Sequence, residues 1–103
     1  MLRIYDVSLS VIRRLPLGAI ERRDGDLARQ LRRAAASVTL NLAEGSNSQG
    51  GNRRARYFNA LGSAKEVRAC LDVARAFGYV DAVDAALADE VERIIATLVR
   101  LVV

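Results

Sequence analysis

The sequence predicts an all-α protein, a single domain over residues 1–103 folded as an up-down-up-down antiparallel four-helix bundle. Hydrophobic residues make up 51% of the chain and charged residues 27%, with one proline, a balance typical of a packed helical protein. Apolar residues recur every three or four positions along most of the chain. Short turn-forming stretches divide this pattern into four helices, at about residues 3–22, 25–45, 53–77 and 82–102.

The first predicted helix contains the one proline. Its apolar stripe begins at Ile4 and continues beyond Pro16 to Ile20. A proline inside a helical pattern either ends the helix or kinks it. Because the stripe resumes on the same face, we expect one kinked helix from about residue 3 to residue 22.

Turn residues delimit the second helix. Asp24, Gly25 and Asp26 form a turn with two candidate N-caps, so the helix begins near residue 25. Gly45 follows Glu44 at the point where a left-handed residue commonly ends a helix. We therefore expect Gly45 to end the second helix.

The third and fourth helices are delimited in the same way. Residues 46–52 have no apolar side chain and include two adjacent glycines, so we expect a flexible loop before the third helix. Gly78 ends that helix, and Asp81 is the expected N-cap of the fourth. A second apolar row widens the fourth helix's apolar surface and indicates a subunit interface. This row consists of Ile95, Val99 and Val102.

Polar residues form one line on the second helix and one on the third, and an antiparallel hairpin would set the two lines face to face. Positions level with each other in such a hairpin have index sums near 100, which sets Ser37 opposite Ser63. This rule predicts internal pairs that fix the helix register, a structural rather than a functional role. The predicted pairs are Arg33 with Glu66, Glu44 with Arg56, and Asn41 with Asn59.

Basic residues are concentrated in the first half of the chain. Residues 1–56 contain eleven arginines and five acidic residues, whereas residues 57–103 contain five basic and seven acidic ones. Arginine suits bidentate phosphate contacts and also ion pairs, and a GC-rich genome would favour it too, so composition leaves these explanations open. The candidate nucleic-acid contacts are Arg13, Arg14, Arg22, Arg23, Arg29, Arg32, Arg53 and Arg54.

Little in the sequence favours catalysis. There is no histidine, and Cys70 is the one cysteine, so we expect an inert core thiol, no catalytic residue, no metal site and no cofactor. The lone cysteine and the lack of an early apolar run favour a cytoplasmic location. The longest late apolar run, residues 94–103, is too short for a bilayer and contains Arg100, so we expect no membrane contact.

The central part of the chain resembles a known family. The segment QLRRAAASVTLNLAEGS, followed after a polar loop by RYFNALGSAKEVRACLDVARAFGYV, is similar to the four-helix-bundle proteins encoded in intervening sequences of bacterial 23S rRNA genes. Relatives of that family include the accessory variability determinant proteins of diversity-generating retroelements. The resemblance covers roughly residues 27–80. It implies a ring-shaped homo-oligomer, typically a pentamer, and, for the retroelement relatives, nucleic-acid binding and a reverse-transcriptase partner.

Two functions follow from these observations. The first is a non-enzymatic oligomer that binds RNA or DNA mainly through phosphate contacts, with a ring that multiplies a weak basic patch by avidity. Sequence-specific reading is not indicated, because the chain has no helix-turn-helix spacing, zinc-finger ligands or stacking-aromatic motif. The alternative is a protein-protein interaction scaffold with no nucleic-acid role.

Overall fold

The structure is a computed structural model that describes residues 3–103. The regular secondary structure of this part of the chain consists of helices alone, with no strand. The five helices are α1 (Ile4–Arg14), α2 (Leu17–Arg23), α3 (Gly25–Ser46), α4 (Gly50–Ala76) and α5 (Ala85–Val102).

The predicted kinked first helix is wrong, because the chain forms two helices there. Leu15 adopts an extended conformation (φ −61°, ψ 132°), and Pro16 precedes the first residue of α2. The proline ring disfavours the helical conformation for the residue before it, and proline has no N–H to continue the helical hydrogen bonds. Helix α2 therefore packs separately against α3, with Ile20 as its one buried residue.

Four helices surround the core. Helix α1 contacts α3 and α5, and α4 contacts the same two helices. Inside, the Ser8 and Thr39 hydroxyls lie 2.9 Å apart and link α1 to α3, so the two buried hydroxyl side chains satisfy each other. The largest fully buried apolar side chains come from all five helices; they are Val7, Ile20, Leu31, Val67, Leu87 and Leu98.

Helices α3 and α4 form a hairpin whose connection is shorter than the predicted loop, since only residues 47–49 lie between them. Of the two candidate N-caps, Asp24 and Asp26, it is Asp24 that caps α3: its Oδ1 accepts a hydrogen bond from the Leu27 amide at 3.0 Å. Gly45 is not the expected left-handed residue. It lies inside α3, buried, where an added Cβ would overlap the ring of Tyr57. The lack of a side chain at Gly45 therefore allows α3 and α4 to pack closely.

The C-terminal end of α4 is a Schellman motif. Gly78 has a positive φ of 77°, its amide donates to the Arg75 carbonyl at 3.0 Å, and the Tyr79 amide donates to the Ala74 carbonyl at 2.9 Å. The predicted end at Gly78 is thus confirmed.

The predicted N-cap at Asp81 is wrong. Helix α5 begins at Ala85, and Oδ1 of Asp84 accepts a hydrogen bond from the Ala86 amide at 3.4 Å. Residues 81–84 are non-helical, so the connection is longer than the sequence indicates.

Replacing Gly78 by alanine tests the Schellman motif. We expect Gly78→Ala to lower the free energy of unfolding by about 1 kcal/mol, because a Cβ disfavours the left-handed conformation. No atom lies within 4 Å of that Cβ, so steric overlap does not contribute. Urea denaturation measures the change. A stability equal to that of the original protein would contradict the assignment.

Candidate nucleic-acid interface

The eight candidate arginines do not form one patch. All are exposed, and they come in pairs from α1, α2, α3 and α4. Arg53 and Arg54 lie in the first turns of α4. Arg22 and Arg23 lie at the end of α2, near the other end of α4: the next residue, Asp24, accepts a hydrogen bond from Tyr79, which follows α4. Arg53 lies in the first turn of α4 and Phe77 directly follows its last residue, so these two groups lie about 36 Å apart along the helix.

Three of the candidates form ion pairs with acidic residues of the same chain. Arg14 contacts Asp84 (3.3 Å) and Glu90 (3.1 Å), which links the end of α1 to α5. Arg29 pairs with Asp26, and Arg32 lies 3.7 Å from Glu21 of α2. These partners reduce the positive charge that Arg14, Arg29 and Arg32 offer to a phosphate.

Arg53 and Arg54 are held differently, by backbone carbonyls. Nε of Arg53 donates to the carbonyls of Gly45 (3.1 Å) and Ser48 (2.8 Å), at the end of α3. Nε of Arg54 donates to the Val102 carbonyl (2.8 Å), at the end of α5. Helix C-termini leave carbonyls without partners and carry partial negative charge, so cations are favourable there. This explains two arginines at the N-terminal end of α4, where they oppose that helix's own dipole.

The remaining atoms of these two guanidinium groups determine what the site can bind. Each group uses Nε for the backbone, and no carboxylate among residues 3–103 lies within ion-pair distance of Arg53, Arg54 or the nearby Arg56. Their terminal nitrogens are therefore available for an anion, in an orientation that the protein itself has set.

The predicted facing of the two polar lines is confirmed at one position. The Ser37 and Ser63 hydroxyls lie 2.7 Å apart across α3 and α4. Asn41 does not pair with Asn59 as predicted; its Nδ2 donates to the backbone carbonyl (2.9 Å) and hydroxyl (3.1 Å) of Ser37, and Asn59 is exposed. Asn41 therefore pairs with Ser37, four residues earlier on the same helix, and not across the hairpin.

The predicted charged pairs are not formed. Arg33 and Glu66, and likewise Glu44 and Arg56, are exposed, and within residues 3–103 neither pair lies at ion-pair distance. Long charged side chains at the rim of a helix contact lose little by pointing into water, because exposed ion pairs contribute at most about 1 kcal/mol.

The predicted interface row on α5 contains both core and surface residues. Ile95 and Val102 are each only 8% exposed and belong to the core of one chain, whereas Val99 is 40% exposed. The apolar surface of α5 is wider than one stripe because that helix packs against both α1 and α4. Only Val99 of this row is left on the surface for a second subunit.

An aromatic cluster that was not predicted from the sequence lies just beyond α4. The rings of Phe77 and Tyr79 are stacked, with centroids 5.3 Å apart and an interplanar angle of 16°. The Arg23 guanidinium lies 5.6 Å from the Tyr79 ring centroid, and the Tyr79 hydroxyl donates to Asp24 at 3.1 Å. Burial and the Asp24 carboxylate raise the pKa of Tyr79, while Arg23 opposes them. The sequence feature that could have predicted this cluster is the pair of aromatic residues on either side of the helix-ending Gly78.

The other chemical groups are in ordinary surroundings. Cys70 is 4% exposed, and its burial, with a smaller contribution from Glu66, raises the pKa of its thiol. In the described chain, no three metal-ligating side chains cluster together. None of the helices within residues 3–103 combines the length and apolar character that crossing a bilayer requires.

Comparison with known proteins places the chain in a family. The fold is closely similar to the crystal structure, at 1.70 Å, of a protein of unknown function from the S23 ribosomal protein family of Bacteroides thetaiotaomicron. It matches with a TM-score of 0.83 and 16% sequence identity, over 97% of this chain and 98% of that one. No curated protein sequence matches the chain. The profile of the 23S rRNA-intervening sequence proteins matches residues 4–100. The chain therefore belongs to the 23S rRNA-intervening sequence protein family.

Proposed function

We propose that the protein is a non-enzymatic nucleic-acid-binding protein that contacts phosphates of RNA or DNA through the α4 arginines. The observation that carries the proposal is the anchoring of Arg53 and Arg54 by their Nε atoms on the carbonyls of Gly45, Ser48 and Val102. Anchoring lowers the entropy lost on binding and leaves two terminal nitrogens per side chain for phosphate oxygens.

Charge around this site supports the same function. Arg56 adds a third positive charge within one turn, and no described carboxylate pairs with any of the three. Three unneutralised arginines at one helix start repel each other, a cost that a polyanion would remove. Arg13 and Arg22, which also have no ion-pair partner within residues 3–103, would add longer-range attraction.

Removing the anchored pair of charges tests the proposal. We expect the original protein to bind a short DNA or RNA duplex at low salt, with an affinity that falls steeply as salt rises. Arg53→Gln with Arg54→Gln should reduce the slope of log affinity against log salt by about two, because each lost phosphate contact releases about one counterion fewer. Fluorescence anisotropy across a salt series measures both slopes.

A matched control separates the site from net charge. Arg75 and Arg93 are exposed and also lack ion-pair partners in the described chain. Arg75→Gln with Arg93→Gln removes the same charge elsewhere and should leave the slope unchanged. Equal slopes for both double variants, or no binding at low salt, would refute the proposal. A circular-dichroism melt shows that each variant is folded.

We also propose that the protein assembles as a ring-shaped homo-oligomer of antiparallel four-helix bundles, a pentamer by family resemblance. Exposed apolar side chains on the outer faces of α3 and α4 support self-association: Leu40 and Phe58 are each 64% exposed. A reverse-transcriptase partner rests on resemblance to the retroelement proteins. The same exposed residues favour the alternative function, a protein-protein interaction scaffold. Sedimentation of Leu40→Glu tests self-association, and a mass equal to that of the original protein would count against this surface.

A further inference from the structure

We propose that Phe77, stacked on Tyr79, binds an unpaired nucleobase of a single strand. This site is separate from the α4 arginines in place and in chemistry. It lies just beyond the C-terminal end of α4, about 36 Å along that helix from Arg53, in a molecule whose longest dimension is 42 Å. Binding there depends on bases, whereas binding at the arginines depends on phosphates.

The local backbone conformation positions the two stacked rings. The left-handed Gly78 (φ 77°) reverses the chain, so the rings of residues 77 and 79 meet with centroids 5.3 Å apart. The Schellman hydrogen bonds hold this reversal. Tyr79 is fixed at its other end by its hydroxyl, which donates to Asp24 at 3.1 Å. The lower ring of the stack is therefore held by both backbone and side-chain contacts.

Exposure distinguishes the two rings. Tyr79 is half-buried, whereas Phe77 is 65% exposed, so Tyr79 supports a ring that remains available to solvent. An aromatic face presented in a fixed orientation is what a base stacks on, and every base has a π-face, so such a site accepts any sequence.

The surrounding charges fit a nucleotide. Arg23 lies 5.6 Å from the Tyr79 ring centroid, and the neighbouring Arg22 has no carboxylate partner among residues 3–103. Asp24, which contacts the stack, is already engaged, since its two carboxylate oxygens accept from the Leu27 amide and the Tyr79 hydroxyl. Arg23 beside the aromatic stack can neutralise the phosphate that accompanies a stacked base, and Arg22 adds longer-range attraction.

The size of the surface favours a base over a protein partner. One aromatic side chain offers about 200 Å², whereas a stable protein interface buries about 800 Å² on each partner. Val73, one turn earlier on α4, is only 39% exposed and adds little. The exposed area thus matches a single base.

The test compares single-stranded ligands with and without bases. We expect Phe77→Ala to weaken binding of labelled oligo-dT by about 5- to 150-fold, the range given by loss of one aromatic-base stack. Binding of an abasic strand of the same length should not change. The chain contains no tryptophan, so Phe77→Trp adds a reporter; it should keep oligo-dT affinity, and oligo-dT but not the abasic strand should quench its fluorescence.

A control aromatic residue comes from α1. Tyr5 is 40% exposed, and Tyr5→Ala should leave oligo-dT binding unchanged. The proposal is overturned if Phe77→Ala binds oligo-dT like the original protein, if the abasic strand binds equally well, or if the variant sediments as a smaller species. The duplex salt series with Arg53→Gln and Arg54→Gln is scored separately, so phosphate binding and base stacking can fail independently.

Discussion

Ile20→Ala is expected to lower the free energy of unfolding by about 3 kcal/mol, the middle of the range for truncating a buried isoleucine to alanine. Ile20 is 0% exposed and is the one buried residue of α2. Because Pro16 interrupts the helix, α2 depends on this side chain for its packing against α3. Urea denaturation followed by circular dichroism measures the loss.

Gly18→Ala is the control for Ile20→Ala, since it changes an exposed position of the same short helix. The nearest atom to its added Cβ, in the Arg22 side chain, is 3.9 Å away, an ordinary contact. Alanine has the higher helix propensity, so we expect unchanged or slightly higher stability. A fully stable Ile20→Ala protein would mean that α2 contributes nothing to the core.

Gly45→Ala is expected to destabilise the protein by about 1–3 kcal/mol, the usual cost of overpacking. The same substitution normally stabilises a helix interior by about 0.5–1 kcal/mol, because glycine loses more backbone entropy on folding. Here the new Cβ would overlap the Tyr57 ring, so α3 and α4 would have to separate or the ring would have to leave its packed position. Thermal and urea denaturation both measure the change.

A double-mutant cycle isolates the cause of that loss. In a Tyr57→Ala background the overlap is gone, so Gly45→Ala should become neutral or stabilising. Gly62→Ala, in α4 with nothing within 4 Å of its added Cβ, gives the expected gain without obstruction. The same loss in both backgrounds would show that Tyr57 is not the obstacle.

The structure changes the interpretation of the arginines more than that of any other group. Composition alone left phosphate contacts, ion pairs and genomic bias open as explanations of the arginine content. Arg14, Arg29 and Arg32 now have acidic partners, and Arg53 and Arg54 have backbone partners. Backbone anchoring through Nε, unlike pairing with a carboxylate, keeps the full positive charge available. For this reason the proposed phosphate site contracts to the start of α4.

Some of the candidate site could be predicted because hairpin geometry is regular. Index sums near 100 correctly placed Ser37 opposite Ser63, but the same rule did not bring Arg33 to Glu66. Helical periodicity determines which backbone positions lie level. It does not determine where long, exposed side chains point, because an exposed ion pair gains at most about 1 kcal/mol over contact of the same side chains with water.

By itself the sequence determined the all-α class, a helix start at the Asp24-Gly25-Asp26 turn and the helix end at Gly78, because apolar periodicity and turn chemistry act between residues close in the chain. Only the tertiary structure decided that Pro16 separates two helices, that Gly45 makes room for Tyr57, and that Ile95 and Val102 are core residues. It also brought Phe77, Tyr79 and Arg23 together. The packing of Gly45, the burial of Ile95 and Val102, and the contact of Arg23 with Tyr79 depend on distances between helices, which packing of the whole core sets and no local pattern encodes. At Pro16 the local pattern allowed either a kink or a break.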